Sequence, residues 1–197
     1  MKQLYEQSIT KSYTYKAYRD LVDSLITQSK STGDTQSDEI LAYSKLNAQR
    51  MNRLDKTVVV TDEVKEGLKN ISKKYIWLVL SEGWCGDAAQ ILPVMNKMAE
   101  VTPFVELKIV LRDENKELMD HYLTNGGRSI PKMIILEADT MKEISNWGPR
   151  PSGAVALVED LKNKYGGINE ELKTALQKWY NDDKGVSIQK EILELHP

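Results

Sequence analysis

The chain of 197 residues holds a single cysteine, Cys85. It lies in the stretch Ser81-Glu82-Gly83-Trp84-Cys85-Gly86-Asp87-Ala88-Ala89-Gln90. An apolar run, Tyr75 to Leu80, leads in, and a helical pattern, Ala88 to Val101, leads out. This spacing predicts a cysteine at a strand-to-helix junction. Free backbone N–H groups and the positive end of the helix dipole there favour thiolate over thiol. The chemistry on offer is nucleophilic, by attack on a disulfide to give a mixed disulfide. The other reading is a small, inert, buried hydrophobe. Asp87, in the first helical turn, suits the helix end but repels a thiolate. The dipole and Asp87 thus push Cys85 in opposite directions.

One cysteine excludes an intramolecular disulfide and a cysteine-rich zinc site. With only His121 and His196 as histidines, no metal centre is expected, and no motif implies a cofactor. The net charge of −2 gives no general attraction to nucleic acid or an anionic membrane. Met1 to Glu6 lacks an apolar signal core, and no run approaches a membrane span. These features lead us to expect a cytoplasmic protein. Gly126-Gly127 reads as a flexible loop, because no strand precedes it and no Lys-Ser/Thr follows. His121 reads as an ordinary helix residue.

The elements that position Cys85 follow from pattern. Thr14 is placed to cap a helix carrying Tyr18, Leu21, Val22, Leu25 and Ile26, and Ser37 a second with Ile40, Leu41, Tyr43, Leu46, Met51 and Leu54. The polar side of the second carries Lys45, Arg50, Arg53 and Lys56, read either as an anion or partner patch or as a solvated face. From Thr57 strands and helices alternate. Val58-Val59-Val60 is a short strand candidate, and Thr61 caps a helix with Val64, Leu68 and Ile71. Tyr75–Leu80 is apolar throughout, as a strand covered on both faces would be. Strand 104–111, helix 114–123, a hairpin of 133–136 with 141–147, and helices at 152–164, 169–180 and 186–195 complete the pattern. The expected fold class is α/β, a mixed sheet of four or five strands flanked by helices. Residues 1–56 form a helical N-terminal extension, 57–165 the α/β domain and 166–197 a C-terminal helical extension.

This element order, with Trp84-Cys85-Gly86 at the end of the second strand, resembles the thioredoxin fold. Pro93 stands inside the following helix, where a proline generally costs about 3 kcal/mol, and thioredoxins carry one at this offset. Arg128-Ser129-Ile130-Pro131 precedes a strand, where the family places its cis-proline. Trp147-Gly148 ends the next strand, where the family has a glycine that admits a substrate chain. The Trp-Cys-Gly-Asp-Ala motif with a helical N-terminal extension is similar to a group of small bacterial thioredoxin-like proteins of poorly defined role.

The departures narrow the function. Where thioredoxins carry a second cysteine this chain has Ala88, and Val79 replaces the family's buried acid. The resemblance implies a monothiol protein: Cys85 exchanges with the disulfide or thiol of a protein or a low-molecular-weight partner, and an external thiol resolves the product. Trp84, Gly86, Asp87, Ile130, Pro131, Trp147 and Gly148 would line the substrate site. Arg128 and Arg150 are weaker candidates for an anionic part of the partner, with ordinary surface arginines as the other reading. Trp84 and Trp147 are also candidates for core packing. The alternative function is a non-catalytic binding module for a protein or peptide, using the groove beside the cis-proline. A peroxidatic site is disfavoured, because Glu82 and Leu78 stand where that motif needs a hydroxyl residue and a proline. A glutathione-dependent glutaredoxin is disfavoured by Gly-Asp-Ala after the cysteine.

Overall fold

The computed structural model describes residues 1–197. Strand β1, Tyr75–Ser81, is buried along its whole length, which a pleated strand achieves only when both faces of its sheet are covered. It pairs in parallel with β2 (Val105–Leu111) and antiparallel with β3 (Lys132–Glu137). β3 pairs antiparallel with β4 (Glu143–Trp147). The result is a mixed sheet of order β2-β1-β3-β4, flanked by helices. No helix is long and apolar enough to cross a membrane.

Three helices precede the sheet: α1 (Lys2–Thr10), α2 (Tyr15–Thr27) and α3 (Asp38–Thr57). The caps form where expected. Thr14 Oγ1 accepts the Ala17 N–H, and Ser37 Oγ accepts the Ile40 N–H, each such cap being worth about 1 kcal/mol. Helix α1 carries no sequence signal strong enough to predict it. Its anchor is tertiary: buried Tyr5 places its hydroxyl 2.5 Å from Tyr122 Oη and donates to Glu143 at 2.8 Å.

Helix α4 (Asp62–Lys69) leads to β1, and α5 (Gly86–Ala99) carries Cys85 at its N-cap. Helix α6 (Lys116–Asp120) follows β2. After β4 come α7 (Ser152–Tyr165), α8 (Glu170–Asp183) and α9 (Val186–Glu194). Helix α3 packs on α5, α7 on α8, and α9 on α4 and α5.

Two expectations need correction. Val58-Val59-Val60 is not a strand, so the sheet has four strands and not five. The segment is the extended exit from α3, and Val59 is exposed. Its polar backbone is met by one side chain: Gln189 donates to the Val59 carbonyl at 3.1 Å and accepts the Thr61 N–H at 2.9 Å. The outer edge of β2 is taken by Tyr13, which exchanges two backbone hydrogen bonds with Ile109 at 2.7 and 2.9 Å. That bridge covers an edge otherwise open to foreign strands. The second correction is α6, shorter than the expected 114–123. Thr124 and Gly127 exchange backbone hydrogen bonds at 2.9 and 3.0 Å, and this turn redirects the chain before Arg128.

The Ile130–Pro131 bond is cis, as the resemblance implied, and Gly148–Pro149 is cis as well. Gly148 has φ of +112°, and a Cβ there would fall 2.3 Å from the Pro131 carbonyl oxygen. The residue must therefore be glycine for local backbone reasons. Gly148→Ala should destabilise the fold by about 3 kcal/mol or more, from positive-φ strain plus a backbone clash. Chemical denaturation checks this; wild-type stability would contradict it.

Candidate functional site

Cys85 is the N-cap of α5. Its Sγ accepts the Ala88 N–H at 3.4 Å and donates to the Ile130 carbonyl at 3.3 Å. The second contact uses the thiol proton and so favours the neutral form. Burial, reinforced by the charge of Asp87, pushes the thiol up to about 12, outweighing the lowering by the helix N–H groups and Arg150. The opposition of dipole and carboxylate that the sequence left open is thus resolved in favour of the neutral thiol. The dominant cause is desolvation, which pattern alone does not measure.

Asp87 is buried and fully engaged. Tyr180 Oη of α8 donates to its Oδ1 at 2.8 Å, and Arg150 Nη2 lies 2.6 Å from Oδ2. Burial first, then the neighbouring Asp87 charge, holds the Tyr180 hydroxyl well above its usual range. Tyr180 therefore stays a proton donor to Asp87.

The N-terminal helices hold the cysteine loop from the other side. Thr32 Oγ1 accepts the Gly83 N–H at 2.8 Å, and fully buried Asn47 donates to the Gly83 carbonyl at 3.1 Å. Tyr18 Oη lies 3.3 Å from Ser81 Oγ. Glu82, three residues before Cys85, has no exposed surface. Its Oε1 accepts the Asp113 N–H at 3.0 Å, whereas Oε2 is buried without a hydrogen-bond partner. Burial raises its pKa. The sequence weighed Glu82 only as a mismatch to a peroxidatic motif. Tertiary packing, which nothing in the local sequence signals, makes it a buried acid.

A cavity of about 530 Å³ opens beside Cys85. Helix α3 contributes Ile40, Tyr43 and Arg50, α7 contributes Val158 and Lys162, and α8 contributes Leu172, Lys173, Leu176 and Gln177. Of the residues expected at the site, Trp84, Cys85, Gly86, Asp87 and Ile130 line it, together with Arg128 and Arg150. Trp84 lies under the Arg112 guanidinium, 4.8 Å from ring centre to Cζ. Pro131 and Gly148 pack against each other behind Ile130. Trp147 is elsewhere: it is buried and donates to Glu191 of α9 at 2.8 Å. Arg128 is exposed and paired with Asp120 at 2.7 and 2.8 Å. Of the basic face noted on the second predicted helix, only Arg50 reaches the cavity. The walls from α8 lay beyond sequence reasoning, since nothing in its amphipathic pattern says which element it covers.

A thioredoxin family model matches residues 33–162. The chain belongs to the thioredoxin family. The match begins ahead of α3, so the helix that brings Arg50 and Asn47 to the cysteine loop lies within the family region. Among solved structures, the chain is similar to a protein of unknown function, PA1234, from Pseudomonas aeruginosa, at 17% identity and a TM-score of 0.58. That likeness covers 93% of this chain and 96% of the other. It is also similar to an HIV epitope scaffold, at 16% identity and a TM-score of 0.57, over 93% of this chain and 97% of that one. At these identities the likeness concerns the fold. No curated protein matches the sequence.

The raised pKa of Glu82 makes stability depend on pH. A carboxyl that holds its proton more tightly when folded stabilises the protein fully below its unfolded value of about 4.5. That contribution is lost as pH rises through the folded value. Glu82→Gln should flatten this decline between the two values, which denaturation midpoints across mildly acidic to neutral pH will show. An unchanged pH profile would mean that Glu82 does not carry it.

Proposed function

We propose that this thioredoxin-family protein is a binding module whose ligand occupies the cavity beside Cys85, with the cysteine as a resting thiol in the cavity wall. The observation that carries this reading is a half-open cavity built over the cysteine corner. Helices α3, α7 and α8 wall in the space beside Ile130–Pro131, leaving a cavity of about 530 Å³. That volume falls within the roughly 300–1,000 Å³ of small-ligand sites. A cavity of this size, walled by three helices, fits a compact ligand.

The state of the thiol supports the same reading. At a pKa of about 12, about one molecule in 10⁵ is thiolate at pH 7, against about one in 30 for an ordinary cysteine near 8.5. Higher intrinsic nucleophilicity recovers only a factor of about 30 to 50. The net expectation is exchange slower than that of a free cysteine by about a hundredfold. Ala88 leaves the chain with no second thiol to release a mixed disulfide.

Monothiol exchange with an external resolving thiol is the second reading. It is favoured by one observation: Cys85 lines the cavity and its Sγ accepts an α5 N–H. A ligand that draws the negative charge of Asp87 away from the sulfur would lower the barrier to thiolate formation.

Alkylation of Cys85 against pH separates the two. The binding reading expects half-maximal reactivity well above pH 8.5, and Asp87→Asn should accelerate alkylation at pH 8 by about tenfold or more. That substitution removes the repelling charge and leaves Arg150 facing the sulfur. Rapid modification of the wild type at neutral pH, with mixed disulfides retained in a pull-down and lost in Cys85→Ser, would establish exchange instead.

A further inference from the structure

Six cations line the cavity, and four already have carboxylate partners. Arg112 pairs with Asp113 at 2.8 Å, Arg128 with Asp120 at 2.7 Å, Arg150 with Asp87 at 2.6 Å and Lys173 with Glu170 at 2.6 Å. Lys162 is exposed, so water serves it. Arg50 differs from all of these. It is partly buried, has no carboxylate partner, and its one hydrogen bond runs from Nη1 to Asn47 Oδ1 at 2.9 Å.

A guanidinium carries five donors, and withdrawing it from water without an anion is unfavourable. Burial, with the like charge of Arg53, lowers the Arg50 pKa accordingly. The position of the group is defined, because a Cβ at Gly86 would lie 3.5 Å from Arg50 Nη1. The guanidinium therefore stands over the start of α5 at the cavity wall. Asp87 does not serve as its partner in geometry, since both Asp87 oxygens are taken by Tyr180 and Arg150. Glu39, the other acid lining the cavity, is exposed.

Apolar surface for a ligand body comes from Tyr43, Leu172 and Leu176 of the flanking helices. One planar fork beside apolar surface matches the two oxygens of a carboxylate. A phosphate's further oxygens would find four of the other five cations already paired with carboxylates.

We propose that the cavity receives a small organic acid with an apolar or aromatic body, its carboxylate held by Arg50 and its body lying against Tyr43, Leu172 and Leu176. The proposal rests on the ligand-binding reading above and adds the charge of the ligand and its anchor. Binding is non-covalent, so Cys85 contributes shape and no bond.

The test compares acids with their uncharged amides on the full chain: 4-phenylbutyrate with 4-phenylbutanamide, octanoate with octanamide, and indole-3-propionate with its amide. The readouts are calorimetry and the assigned indole N–H resonance of Trp84, which lines the cavity. At least one acid should bind and shift Trp84, with its amide binding about tenfold or more weakly. Arg50→Gln should weaken the acid by a similar factor and leave the amide unchanged, while Arg50→Lys recovers part of the loss. Lys45→Gln, on the same helix but outside the cavity, should change little. Acid and amide binding equally, with Trp84 shifted by both, would overturn the anion site and leave the ligand-binding reading standing. No shift of Trp84 by any acid or amide at millimolar concentration would overturn both. The wild-type acid–amide comparison holds whether or not the Arg50 variants fold.

Discussion

The buried carboxylate of Asp87 is the constraint on which the cysteine corner depends. A charge taken out of water must be met by partners, because the penalty for leaving it bare exceeds any single contact nearby. Asp87 finds them in Tyr180 from α8 and Arg150 from the loop after β4. One carboxylate on the first turn of α5 thereby fixes the C-terminal helices against the cysteine corner. The same charge raises the Cys85 pKa together with burial. It also occupies Arg150, leaving Arg50 as the partly buried cation lining the cavity without a carboxylate partner. The state of the thiol, the placement of α8 at the cavity wall and the remaining charge thus follow from one residue.

The N-terminal helices act on the corner from the opposite side, through polar contacts to backbone. Thr32 and Asn47 satisfy the N–H and carbonyl of Gly83, groups that would otherwise be buried and unpaired. Tyr13 covers the outer edge of β2. These segments are therefore structural parts of the site, and of them α3, which carries Asn47, lies within the family match over residues 33–162. Helices α3 and α8 of the extensions, with α7, build a half-open cavity over the cysteine corner.

Much of the frame was legible in local pattern. Thr14, Ser37 and Thr61 cap helices because a side-chain oxygen must meet free N–H groups, and that need is local. The unbroken apolar run of β1 announced a strand covered on both faces. Where local pattern failed, a distant partner had decided the outcome. Val58-Val59-Val60 has strand composition, but Gln189 and Tyr13 hold the positions where strand pairing would occur. Helix α1 has a weak sequence signal and is secured by Tyr5 against Tyr122 and Glu143. Trp147 stands next to Gly148 in sequence yet donates to α9, away from the cavity.

The sequence by itself determined the inventory: one cysteine at a strand-to-helix junction, alanine in place of a second thiol, and the prolines and glycine that mark a thioredoxin-like sheet. These are matters of residue identity and short spacing, and nothing distant can change them. Only the tertiary structure decided the state of that cysteine and the shape of its surroundings. Desolvation depends on every element packed over the sulfur, and Asp87, Tyr180, Arg150 and Arg50 meet there from segments far apart in the chain. Electrostatics acts through space across a low-dielectric interior, so a linear reading that saw both the helix dipole and Asp87 had no means of telling which would prevail.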